Sequence, residues 1–129
     1  MVTWNLPADD PDESAEWAHS LATDFLQRRG CDETCQALGA LLSADLVRQA
    51  VAHRVGPVEL HIDHVDYEVE LRVRAARVGA VTNEDELVLM RRLATSWGQD
   101  TTGDQPVTWC RFGCLEGPSS TCHAAPTDP

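Results

Sequence analysis

Around Gly56-Pro57 the spacing of apolar residues changes from three-and-four to two. That change restricts the fold more than any other feature of the chain. Before it, from Leu38 to His53, Leu38, Leu41, Leu42, Leu46 and Ala50 recur at helical steps, and Val47 and Val51 widen the stripe. After it, Val58, Leu60 and Ile62 alternate with Glu59, His61 and Asp63. A second run follows, in which Tyr67, Val69, Leu71, Val73 and Ala75 alternate with Glu68, Glu70, Arg72 and Arg74. His64 to Asp66 is a tight connection, so the two runs read as a hairpin with one wet face. A striped helix beside one-sided strands is satisfied by helices laid on one face of a sheet.

The remaining elements fit that plan. Val2 to Leu6 alternates weakly and reads as an edge strand closed by Pro7. Asp12 or Ser14 can cap a first helix running to about Arg29, with Trp17, Leu21, Ala22, Phe25 and Leu26 as its apolar face and Gly30 as its stop. Cys31 to Thr34 opens the central helix, with Asp32 and Glu33 at its positive end. Thr82 or Asn83 caps a third helix whose stripe is Leu87, Met90, Leu93, Ala94 and Trp97, stopped by Gly98. Thr101 to Pro106 is a turn and Val107 to Phe112 a last strand. The expected fold is α+β, a two-layer sandwich: a mixed, mostly antiparallel sheet with three helices on one face. One domain covers 1–113, and 114–129 reads as a flexible Cys/His-containing tail.

Charge narrows the partners. There are 10 basic residues, all arginine, against 21 acidic ones, for a formal net charge of -11. That balance disfavours nucleic acid and anionic membrane surfaces and suits a basic protein partner. The acidic, polar start MVTWNLPADDPDES is unlike a signal peptide, and five cysteines fit a closed disulfide framework poorly, so the expected compartment is the cytoplasm.

Asp45, Gln49 and His53 stand four apart along one edge of the central helix, a polar row beside a buried stripe. This row, the opening LPAD, the stretch ADLVRQAVAHRVGPVEL, the segment DELVLMRRLATSWG and the closing VTWCRF together resemble a known family. It is the small histidine-kinase-like (GHKL) ATPases of the Bergerat fold, in particular the RsbW-like anti-sigma-factor serine kinases of bacteria. The resemblance runs from about Trp4 to Phe112 and rests on the ensemble of segments. Family members carry S-E-L-V-T-N-A-x-x-H-G on this helix. The resemblance implies ATP and Mg²⁺ as cofactors, a sigma factor or a STAS-type anti-anti-sigma protein as partner, and a homodimer as a form such a protein can take.

The chain departs from that pattern at each position the chemistry needs. The family's catalytic glutamate matches Asp45, its Mg²⁺-binding asparagine matches Gln49, and its helix histidine matches His53. Both altered arms change reach by one methylene, against Mg²⁺ distances of about 2.0–2.1 Å and proton-transfer distances of about 2.6–3.2 Å. The adenine-reading aspartate matches Ala75, or Arg74 one residue away, and neither accepts that hydrogen bond. The lid has shrunk to Ala76–Asn83, and Glu84, Asp85 and Glu86 stand where the triphosphate would meet a helix N-terminus. Each carboxylate would repel phosphate by about 1 kcal/mol at ~4 Å even in water. The expectation is a regulatory protein-binding module of the anti-sigma type, controlling transcription through its partner, with a decayed ATP site and no catalysis. Its binding surface would be the former nucleotide face together with the first helix, whose outer side carries Glu13, Glu16 and Asp24.

Two alternatives stand beside it. One is an active ATP-dependent serine/threonine kinase acting on an anti-anti-sigma factor, with Asp45 as base. The other is a zinc- or thiol-responsive regulator. Cys31 and Cys35 stand four apart, as do Cys110 and Cys114, and Cys122 and His123 are adjacent, a set with ligands for Zn²⁺. Against it, small buried thiols serve equally as core residues.

Overall fold

The computed structural model describes residues 2–6, 10–52, 54–65, 68–77, 88–100 and 106–113. The elements are β1 (Val2–Leu6), α1 (Pro11–Arg28), α2 (Glu33–Ala52), β2 (Arg54–Val65), β3 (Glu68–Arg77), α3 (Val88–Leu93), β4 (Ser96–Asp100) and β5 (Val107–Gly113). The strands form one sheet in the order β1-β2-β3-β5-β4, with every described pairing antiparallel rather than mixed. The helices lie on one face, so the protein is an α+β two-layer sandwich.

Each boundary has a local cause. Asp10, not Asp12 or Ser14, caps α1: its carboxylate accepts from the Asp12 and Glu13 amides, and Pro11 fills the first helical position. Ser14 is buried instead. At the other end Gly30 takes a φ of 79°, letting the Cys31 amide bond Leu26 O at 3.0 Å and its own amide bond Gln27 O at 3.1 Å. This closure turns the chain directly into α2, where Asp32 accepts from the Cys35 amide at 2.9 Å. The result is a tight helical hairpin.

Three expected core residues lie on the surface, Leu93 among them at 38% exposure, where α3 ends before its stripe can continue. α1 meets α2 along a ridge of small side chains, Ala15, Ala18 and Ala22, continued by Leu26, and Trp17 points away from it, 54% exposed. α2 is covered by α1 as well as by the sheet, and it buries Gly39, Ala40, Ser43 and Ala44 besides Leu42, Leu46, Val47 and Val51. Covering a helix from two sides shifts its exposed strip, and Leu41 falls on that strip at 44% exposure.

The hairpin stands as expected, with Leu60 opposite Val73 and Ile62 opposite Leu71. β2 starts earlier than the Gly56-Pro57 break suggests. Arg54 already pairs with Arg77, and the register shifts between Arg54 and Val58, so glycine and proline sit in an irregularity of the strand rather than before it. α3 ends at Leu93, and Trp97 and Gly98 belong to β4, with Trp97 opposite Cys110 and Gly98 opposite Trp109. Gly98 is needed there because a Cβ would stand 2.9 Å from Trp109 Cζ2; the indole ring covers its backbone. Thr95 seals the junction, its amide and hydroxyl both donating to Arg111 O. The expected third-helix cap at Thr82 or Asn83, the tail 114–129 and residues 101–105 of the expected turn lie outside the described residues. Among the described residues no helix is long and apolar enough to cross a membrane.

Candidate functional site

α2 brings Asp45 and Gln49 together. They are one turn apart and half-buried, and the Gln49 amide donates to Asp45 Oδ2 at 2.9 Å. Burial pushes the Asp45 carboxyl above its usual value of 3.8, while the Gln49 hydrogen bond and the nearby Arg48 guanidinium pull the other way without cancelling it. Arg48 itself turns to α1, its Nε 3.3 Å from Asp12 Oδ1. Ala75 lies on the inner face of β3 opposite Val58, buried among apolar neighbours with no side-chain polar atom to offer. Arg74, its neighbour on the other face, is exposed and 4.0 Å from Glu59. His53 and the Glu84, Asp85, Glu86 row lie outside the described residues.

A magnesium ion takes oxygen ligands, and in this arrangement Gln49 directs its NH₂ rather than its Oε1 at the neighbouring carboxylate. Asp45 retains one feature of a proton acceptor, its raised affinity for a proton. The sign of that shift gives a test. A carboxyl whose folded pKa is raised costs stability when ionised, and the cost is relieved as pH falls through the folded pKa toward 3.8. Asp45→Asn, which keeps an acceptor for Gln49, is expected to raise the urea midpoint at pH 7. Its advantage over the parent should shrink as the pH is lowered from 7 toward 4.

The described cysteines are core residues. Cys31, Cys35 and Cys110 are buried within the main apolar cluster. Burial, with Glu70 adding to it, pushes the Cys110 thiol up to about 12, which keeps it protonated at neutral pH. Among the described residues no group of three or more His, Cys, Asp or Glu side chains is arranged to hold a metal. Cys114, Cys122 and His123 lie outside those residues.

Sequence reasoning missed His64, assigned to the hairpin connection. It continues the inward alternation of Val58, Leu60 and Ile62, and that parity was the available signal. It is buried; desolvation lowers its pKa below 6.5, Arg29 adds to this, and Cys31 and Asp63 oppose it. Arg29 donates to the His64 carbonyl at 3.3 Å and tethers the end of α1 to β2.

The uncovered face of the sheet carries a polar lattice. Glu70 accepts from Arg111 at 2.8 Å and from Arg72, and these bonds outweigh burial and hold its carboxyl below the usual value. His61 bridges the Thr3 hydroxyl at 2.8 Å and Glu59 at 3.1 Å, a link across β1 and β2. Arg111 stacks 5.2 Å above the Trp109 ring.

No family model and no curated protein matches the chain.

Proposed function

We propose that the chain is a cytoplasmic regulatory module of the anti-sigma-factor type, built on a Bergerat-like fold with a decayed nucleotide site, and that it acts by binding a sigma factor or a STAS-type partner. The observation that carries this reading is the Asp45–Gln49 hydrogen bond: the two side chains that match the family's catalytic and metal-binding positions are engaged with each other. Buried Ala75, with no acceptor at the adenine-reading position, supports the same conclusion. A hairpin flanked by helices on a single sheet face supports the analogy in fold. The described thiols pack as core residues, and this reading assigns them no metal.

The kinase alternative keeps one observation, the raised proton affinity of Asp45, which suits a base. Calorimetric titration separates the two. ATP–Mg²⁺ and ADP added to the purified protein are expected to give no binding heat and no rise in melting temperature up to millimolar nucleotide. Micromolar binding, with phosphate transfer to a STAS protein abolished by Asp45→Asn, would establish the kinase.

A further inference from the structure

Trp17 is the most exposed large apolar side chain among the described residues. It sits at the middle of α1 in an open depression lined by Glu13, Glu16, Trp17 and Ser20. These four are neighbours on the helix surface, one before, four before and three after the indole. Two arginines of the helical pair are committed elsewhere: Arg28 to Asp24 at 3.1 Å, and Arg48 to Asp12. Glu13 and Glu16 have no cationic partner among the described residues. An exposed indole beside two carboxylates without a described cationic partner, on a chain of net charge -11, is the complement of a planar cation.

We infer that this face of α1 docks an arginine-bearing segment of the partner protein, one guanidinium stacking on Trp17 and bonding Glu13 or Glu16. Arginine fits better than lysine, because its planar and weakly hydrated head can stack and donate at once. Tryptophan and arginine are also the residues that carry most energy at protein interfaces. The inference rests on the binding-module reading and names the chemistry of the partner.

The probe is a short glycine–arginine peptide titrated into the full chain, followed by backbone amide NMR, with a glycine–lysine peptide of equal charge beside it. Shifts are expected to cluster on residues 13–20. Affinity should fall about five- to tenfold in Trp17→Ala and in the double variant Glu13→Gln/Glu16→Gln, and the lysine peptide should bind several-fold more weakly. Trp17→Ala retains the helix, since the side chain is outside the core and alanine favours helix; circular dichroism checks this. Shifts scattered over the acidic surface, or an unchanged affinity in Trp17→Ala, would overturn the proposal in favour of unspecific attraction by net charge. Concentration-dependent shifts at 13–20 without peptide, with sedimentation as a dimer, would overturn it in favour of a second copy. Nucleotide titration is read separately. A chain that binds ATP–Mg²⁺ yet keeps the Trp17 effect loses the decayed-site reading alone; a nucleotide-silent chain without that effect loses this inference alone.

Discussion

Gly39→Val is expected to destabilise the protein by about 2–3 kcal/mol, seen as a lower urea midpoint at unchanged slope. Gly39 is where α1, α2 and the sheet converge. A Cβ there would fall well inside contact distance of Leu26 Cδ1 and 3.3 Å from Phe112 Cζ. Leu26 and Phe112 are themselves fully buried, so neither can swing into solvent to make room. Helix propensity opposes the effect, since any residue but proline improves on glycine in a helix interior by up to about 1 kcal/mol. Alanine at 39 brings the same Cβ overlap, offset in part by helix propensity, and should cost less than valine, whose two γ-methyl groups add to it. Leu26→Ala removes the principal obstacle, and in that background the cost of Gly39→Val should fall by about 1 kcal/mol or more. Equal costs in both backgrounds would show that the overlap with Leu26 is not the cause.

Phe112→Ala is expected to cost more, about 3–5 kcal/mol. Phe112 is the largest fully buried side chain, 1% exposed, and it projects from β5 opposite Val69. Its ring reaches α2 beside Gly39, so the missing glycine side chain and the large ring form one fitted contact. Truncation leaves a cavity walled by a helix and a sheet that cannot both move in. Phe112→Leu should recover most of the loss. A truncation of Phe112 that costs under 1 kcal/mol would mean that the two layers collapse readily and that the contact is not the centre of the core.

Much of the fold was legible because its signals are local. The alternation of Val58–Ile62 and Val69–Ala75 gave the hairpin, and Gly30 between two apolar stripes gave the helical pair. What was misread depended on contacts distant in sequence. Trp97 fits a helical spacing after Leu93, and only its pairing with β5 decides for strand. Trp17 fits an apolar face by periodicity, yet close approach of α1 to α2 selects the alanine ridge and leaves the indole outside. The polar cap moved from Asp12 to Asp10 because Pro11 favours the first helical position. Within the candidate site, the Asp45–Gln49 contact follows from their spacing of four. The burial of Ala75 followed from strand parity, whereas the inward placement of His64 needed that parity to be carried one step further into what reads as a turn.

The strand order also sets a sequence of events for a nascent chain. The helical hairpin and the β2–β3 hairpin join segments adjacent in sequence, so they close small loops and can form early. β1 is different. Val2 pairs with Ile62 and Leu6 with Val58, partners distant in sequence, and β1 takes a sheet edge with a neighbour on one side only. Strand β5 must enter between β3 and β4. β1 and β4 are the two edges of the sheet, each bonded along one side, and are therefore the strands most easily shed when the native state breathes.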